Sequence, residues 1–278
     1  MQWTQHMNAA MDYIEENLEG ELDPAQIARR ACCSSFHFQR MFAYIAGIPL
    51  GEYIRRRRMT RAAEWLCAGM SVTQAAAQCG YESPTAFSRA FRSVHGLPPS
   101  QARSGALRAY MPMRFSLAVS GGAPLTYRME ALGAFNVMGL AAPIGSGVEE
   151  NFQSAPGVWE RAVRENALPR LLEKSSGPLP GLLGASAQFG EEWRYMVGVC
   201  AQEACEGFEI WSVPACEWAV FSGSGAMPGA IQALERRAVL EWLPDSGYEY
   251  ADAPDIEVYI VPEPQSAVFE VWLPVTRA

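Results

Sequence analysis

Lysine is all but missing from this chain: of its 22 basic residues only Lys174 is a lysine. Nearly every positive charge is therefore a guanidinium, a planar fork that matches a phosphate or a guanine edge. Also missing is any apolar run of roughly 18 residues, which excludes a membrane-spanning helix and predicts a soluble protein. The opening segment carries Asp12, Glu15 and Glu16 and has no basic stretch ahead of an apolar one. It does not read as an export signal, and a cytoplasmic location is expected. Histidine is scarce, and His6, His37 and His95 all lie in the first half, so no Ser-His-Asp or Cys-His set is available to the second. The cysteines (Cys32, Cys33, Cys67, Cys79, Cys200, Cys205 and Cys216) are odd in number and lack paired C-x-x-C spacing. Reduced thiols are expected, with no metal site and no cofactor.

At 278 residues, 49% hydrophobic and 19% charged, the composition is that of a globular chain long enough for two folding units. Its net charge of -8 is unevenly spread. Residues 32–103 hold nine arginines against three glutamates, a net of +6, whereas residues 125–278 hold nine basic and twenty-one acidic side chains, a net of -12. A basic module joined to an acidic one implies two different partners.

The basic half is built from one unit used twice. Sliding it by 49 residues aligns Ala28 with Ala77, Ser34 with Ser83, Phe38 with Phe87, Arg40 with Arg89, Phe42 with Phe91, Gly47 with Gly96 and Pro49 with Pro98. Asp23-Pro24 supplies an N-cap and a first-turn proline for a short helix through Ile27 and Ala31. A second helix is expected from Ser34, with Phe38, Met41, Phe42 and Ile45 as its core stripe and Phe36, Gln39, Arg40 and Ala43 facing out. In the second unit Ser71 opens a helix through Ala75 to Cys79, Gly80 turns, and Ser83 caps a helix with Phe87, Ala90, Phe91 and Val94 inward. Thr85, Ser88, Arg89 and Arg92 face out. Arginine forks onto guanine, glutamine onto adenine, and Phe36 suits a thymine methyl, so these outer faces have the chemistry to read a major groove. An amphipathic helix exposed only to water shows the same kind of stripe; its repetition in the same arrangement favours double-stranded DNA as the partner.

Between the units, Pro49 to Cys67 reads as a long helix carrying Arg55-Arg56-Arg57-Arg58 and Arg61. Such a spacer holds two recognition helices about 34 Å apart, one groove turn, so that one chain reads both. Arg55 and Arg56, with Arg92, are the expected phosphate contacts, the other arginines of the run being solvated.

These residues carry a resemblance. Ile27-Ala28, His37-Phe38-Gln39-Arg40-Met41-Phe42, Gly47 with Pro49-Leu50-Gly51-Glu52-Tyr53-Ile54-Arg55, Gly80-Tyr81-Glu82-Ser83, and Phe87, Arg89 and Phe91 resemble the AraC/XylS family of bacterial transcription regulators, in the branch of Rob, MarA and SoxS. The match spans about residues 7–103. It implies an all-α domain with a pair of helix-turn-helix units over 1–103, base reading by Phe36, Gln39 and Arg40 and then by Thr85, Ser88 and Arg89, and contact with RNA polymerase. Pro84 and Thr85 stand where this branch often has longer polar side chains, which implies that the second helix reads less sequence and anchors more.

Residues 104–124, rich in glycine and proline around Phe115 to Val119, read as a linker. After it the pattern turns to strands over Thr126–Leu132 and Phe135–Ile144, expected as a hairpin or neighbours, then a helix over Trp159–Lys174 and strands over Leu182–Phe189 and Trp193–Cys200. The order recurs as Glu209–Ser222, a helix over Ala226–Leu243, Asp255–Val261 and Ala267–Val275. Two strand-helix-strand-strand halves predict an α+β domain over 125–278, an antiparallel sheet with helices on one side and a groove where the halves meet.

This half resembles the GyrI-like ligand-binding domain, through Glu241-Trp242-Leu243-Pro244, Ser246-Gly247-Tyr248, Pro254-Asp255-Ile256-Glu257-Val258-Tyr259 and Phe269-Glu270-Val271-Trp272-Leu273-Pro274-Val275. The resemblance implies a small-molecule effector, a lipophilic cation or another small amphipathic molecule. Strand alternation puts Glu257 with Tyr259 on one face and Glu270 with Trp272 on one face, and Trp193 with Tyr195 likewise. A carboxylate among aromatic rings suits a cation, and these six residues are the expected effector site; as sheet core and an exposed strand position they would have no such role. The expected function is a DNA-binding transcriptional activator, not an enzyme, modulated by an effector in its second domain. Two alternatives remain at this level: a GyrI-like hydrolase with Glu257 as general base, and a constitutive DNA binder whose acidic domain docks a protein.

Overall fold

The computed structural model describes residues 2–116, 124–145, 148–189 and 192–277. The chain divides into two compact units, Met1–Phe42 with Ile48–Ala118 and Ala43–Gly47 with Val119–Ala278.

The first unit is helical throughout. It opens with α1 (Gln2–Glu16), an element missed in the sequence although Met7, Ala10, Met11 and Ile14 repeat at helical spacing and are all buried. Next come α2 (Pro24–Ala31), α3 (Ser35–Ala46), α4 (Leu50–Cys67), α5 (Val72–Gln78) and α6 (Pro84–His95). The cap chemistry fixes their starts. Asp23 accepts from the Ala25 amide, Ser34 from the His37 amide and Ser83 from the Ala86 amide. Ser71 and Gln74 form a reciprocal capping box. Phe38, Met41 and Phe42 are buried as the core stripe predicts, but Ile45, one turn further along α3, is 40% exposed. Met59, Ala62, Ala63 and Leu66 of α4 pack with Ala75, Ala76, Phe87, Phe91 and Val94 around the second helix-turn-helix.

Half of the arginine run is structural, not solvated. Arg57 forks onto Glu15 (2.9 and 2.7 Å) and also donates to the Tyr110 carbonyl, while Arg58 donates to the Leu18 carbonyl at 2.9 Å and to the Gly20 carbonyl. The reason is positional: both guanidiniums fall on the α4 face that meets α1 and its trailing turn, where free carbonyls and a carboxylate await them. The first part of the expected linker also packs back here. The Met113 amide donates to Tyr53 Oη at 3.2 Å, and Asn8 makes paired hydrogen bonds with the Phe115 backbone, both 2.9 Å. Residues 117–123 of that linker, including Val119, Gly121 and Gly122, lie outside the described residues.

The second unit is an α+β domain on an antiparallel sheet. Its strands are β1 (Tyr127–Leu132), β2 (Phe135–Ile144), β3 (Leu182–Phe189), β4 (Glu192–Cys200), β5 (Glu209–Val213), β6 (Cys216–Gly225), β7 (Tyr248–Tyr250), β8 (Asp255–Val261) and β9 (Ala267–Arg277), with α7 (Val148–Arg164), α8 (Ala167–Leu172) and α9 (Gly229–Arg237). The expected helix over 159–174 begins earlier and breaks at Asn166, whose φ of 50° ends α7. The expected single extended stretch over 209–222 is two strands. The sheet order is β1-β6-β9-β8-β3-β4-β2-β5, with β7 on β9. The two halves, β2-α7-β3-β4 and β6-α9-β8-β9, meet at β3 and β8, where Gly184 stands opposite Glu257.

The expected hairpin of the first two strands does not form. β1 pairs with β6 of the other half and β5 pairs with β2, so each half lends its leading strand to the other. Alternation along a strand carries no information about such an exchange. Helices α7 and α9 pack on one face, against β2, β4, β6 and β9. The other face carries an apolar core with Met196, Trp211, Trp218, Ile256 and Trp272.

Candidate functional site

In the first unit the outer faces of the two recognition helices differ. On α3, Gln39 is exposed with its amide on Ser35 Oγ (3.1 Å) and Phe36 is half-buried. Arg40 and Ala43, expected to face outward, are 6% and 7% exposed, and the Arg40 guanidinium carbon lies 5.9 Å from the Phe36 ring centroid. Helical spacing places both residues by their angle around α3, which carries no information about what packs against that face. On α6, Thr85, Arg89 and Arg92 are exposed and Ser88 is half-buried. Neither Arg89 nor Arg92 has a carboxylate partner among the described residues. On α4, Arg55 and Arg56 both reach Glu52, Arg56 Nε at 2.6 Å, and the Arg56 guanidinium lies 5.2 Å from the Tyr110 ring centroid.

In the second unit the structure assembles a cluster around Glu257. Its Oε2 accepts from Tyr195 Oη (2.5 Å) and from Tyr259 Oη (2.8 Å), across β4, β3 and β8. Trp159 of α7 donates its indole N–H to Tyr195 Oη at 2.9 Å and sets its ring edge-on to Tyr259, centroids 4.6 Å apart. Burial pushes the Glu257 carboxyl above the ordinary carboxylate range, with the Asp255 charge adding to it, against the opposing pull of the two phenols. Burial likewise holds both tyrosines well above their usual range, so they remain neutral donors. Among the described residues no arginine, lysine or histidine pairs with Glu257. Trp193 shares the face, two residues from Tyr195 along β4, and is buried at 9% exposure.

Trp159 was missed in the sequence, since a tryptophan inside an amphipathic helix reads as core. Strand alternation groups Glu270 and Trp272 with this site, whereas the structure sets them on the opposite face of the sheet from Glu257. Strand β9 sets Val271 opposite Glu257, so the residues on either side of Val271 point through to the other face of the sheet. There Glu270 takes a bidentate fork from Arg128 (2.7 and 3.0 Å) and the Trp272 indole N–H at 2.9 Å. Burial tends to raise the Glu270 carboxyl, but Arg128 and Trp272 outweigh it and hold it low. The same device recurs in the other half, where Arg194 forks onto Glu209 (2.7 and 2.8 Å) beside Trp211. These two carboxylates, unlike Glu257, are each paired with a guanidinium.

Among the described residues no cluster of three or more histidine, cysteine or acidic side chains is placed to hold a metal ion. No helix among them is long and apolar enough to cross a membrane.

Comparison with known proteins follows the two units. Residues 27–105 match a family described as a helix-turn-helix domain, and residues 125–276 match one described as a GyrI-like small molecule binding domain. The first unit is similar to the multiple antibiotic resistance protein MarA of Escherichia coli, 35% identical over 98 residues that cover 35% of this chain and 77% of MarA. It is also similar to the HTH-type transcriptional activator AarP of Providencia stuartii, 38% identical over 89 residues, 32% of this chain and 66% of AarP. The second unit shares its fold with a solved structure of SAV2435 bound to tetraphenylphosphonium, at 22% identity and a TM-score of 0.50, over 55% of this chain and 94% of that one.

Proposed function

The chain belongs to the AraC/XylS family of DNA-binding transcriptional regulators and carries a GyrI-like domain behind its DNA-binding unit, and on that premise we propose that it is an activator controlled by a lipophilic cation bound at Glu257. The observation that carries the proposal is the Glu257 carboxylate, held by two neutral phenols and by no cationic side chain among the described residues. Phenols donate hydrogen bonds but no countercharge, and an ionised carboxylate removed from water without one costs several kcal/mol. A cation with apolar substituents supplies the missing charge and fills an aromatic wall at once, the rings adding about 0.5 to 2 kcal/mol each. The tetraphenylphosphonium bound by a protein of the same fold is a ligand of this chemistry.

Titration of the full chain with tetraphenylphosphonium tests this. Saturable quenching of tryptophan fluorescence is expected, because Trp159 stands against Tyr259. A linear, non-saturating response would remove the cation from the role.

On DNA, the free guanidiniums favour α6 as a reader as well as an anchor. Arg89→Ala is expected to cost about 1 to 3 kcal/mol of operator affinity and to relax choice at one base, whereas Arg92→Ala weakens all duplexes alike and lowers the salt slope by about one. Affinities for operator and random duplex over a salt series check both. Arg55 and Arg56 reach phosphate only in competition with Glu52, so their loss is expected to matter less. Gln39 and Phe36 complete the reading surface on α3, and activation proceeds by contact with RNA polymerase, in keeping with the description of AarP as an activator.

A further inference from the structure

We propose that Gly184 is a positioning residue of the Glu257 site, its missing side chain being the space in which the Tyr195 hydroxyl meets the carboxylate. The inference rests on Glu257 as the cation-binding group.

Gly184 lies in the middle of the sheet, opposite Glu257 on β8 and Val197 on β4, two pairs along from Tyr195 and so on the same face. It is the strand residue beneath the hydrogen bond that spans β4 and β8. Its backbone is ordinary extended strand and not among the glycines with positive φ, so alanine has access to the same conformation. Glycine weakens a strand interior and has no packing to offer there, which leaves close approach as its reason. A Cβ placed on Gly184 would lie 2.2 Å from Glu257 Oε2, 2.2 Å from Tyr195 Oη and 2.9 Å from Tyr195 Cζ. None of these is a permitted contact. All three atoms belong to the outer parts of side chains, so the strain is relieved by pushing tyrosine and carboxylate apart while the sheet stays as it is.

The two halves of the domain meet at this pair of strands. One half contributes the carboxylate and the other contributes the vacancy, so a side chain on both would compete for one volume. The Glu257 carboxylate therefore fills the volume that the glycine leaves open at the junction of two similar halves.

The test uses the full chain with Gly184→Ala, read by calorimetry with tetraphenylphosphonium and by infrared difference spectroscopy of the Glu257 carboxyl, assigned by its loss in Glu257→Gln. Loss of a hydrogen bond to a charged group predicts about tenfold weaker binding, a carboxyl band moved toward that of a less hydrogen-bonded acid, and parental circular dichroism. Parental affinity together with an unmoved band would overturn the proposal. If the parent itself does not bind tetraphenylphosphonium, the cation reading fails, and the infrared band still decides Gly184: a shift supports it and no shift refutes it. Should the alanine variant not fold, Tyr195→Leu with Glu257→Ala removes all three clashing atoms in the triple variant, which is expected to fold. A triple variant that also fails to fold would place the clash in the backbone and overturn the proposal.

Discussion

Glu257→Gln is expected to weaken tetraphenylphosphonium binding by more than about tenfold, the loss that follows when a charge-assisted contact in a desolvated site becomes a neutral one. Glutamine keeps the shape and an acceptor for Tyr195 and Tyr259, so the loss reports the charge. The pH profile separates this from a packing effect. Burial, aided by the Asp255 charge, raises the Glu257 carboxyl above the ordinary carboxylate range, while Tyr195 and Tyr259 are raised too and stay neutral. A cation binds the ionised form, so below the raised midpoint each unit of pH is expected to cost up to about tenfold in affinity, with a plateau above it. The glutamine variant should be flat across the same window. Stability runs the other way. The folded carboxyl holds its proton to higher pH than the unfolded one, so the ligand-free domain loses stability as pH rises from the ordinary carboxylate range through the raised value. Saturating cation reverses that loss. Calorimetry in two buffers of different ionisation heat measures the proton released on binding, and a parent with flat affinity and no proton release would sink the assignment.

The helical half was legible because its signals are local. Asp23, Ser71 and Ser83 act within three residues of themselves, and the repeat at an offset of 49 residues gives Ser83 a counterpart in Ser34. What stayed hidden there depends on contacts distant in sequence. Arg57 and Arg58 look like any exposed charge run until α1, some forty residues earlier, brings Glu15 and the carbonyls of Leu18 and Gly20 to them. In the second unit β2, β3 and β8 and most of the other strand bounds follow from alternation and turn residues. Pairing does not, and the exchange of β1 and β5 between the halves is a product of the whole sheet. The site shows the same division. Glu257 with Tyr259 and Trp193 with Tyr195 are correct as two-residue spacings on their own strands. Whether Glu270 joins them depends on the register of β9 against β8, where a one-residue step selects the opposite face. Gly184 could have been flagged as a glycine inside a strand otherwise rich in side chains, a sign of close approach without any hint of what approaches.

The largest effect expected on the DNA-binding unit lies far from any outer face, at Glu15. Its carboxylate accepts from Arg57 Nε and Nη2 (2.9 and 2.7 Å) and from Tyr53 Oη at 2.5 Å, and so fastens α1 to the spacer helix α4. Burial tends to raise this carboxyl, but Arg57, Tyr53 and the nearby Arg61 charge outweigh it and hold it low. Arg57 is 9% exposed at its side chain, so in Glu15→Ala it keeps only the Tyr110 carbonyl and remains a buried cation without its anion. Removing one partner of such a pair costs about 3 kcal/mol or somewhat more. Since the linker segment is pinned to the same place through Tyr53 and Tyr110, α1, α4 and residues 110–113 should loosen together. Hydrogen exchange of the α4 amides reads this directly, with protection expected to fall on the order of a hundredfold. Because the folded carboxyl lies below its unfolded value, the contribution of Glu15 is present at neutral pH and is lost as pH falls through the ordinary carboxylate range toward the lowered one. The alanine variant should therefore show a shallower acid destabilisation than the parent. Equal protection of α4 in the two proteins at neutral pH would mean that the apolar contacts of α1, not its carboxylate, hold the spacer, and with it the separation between the two recognition helices.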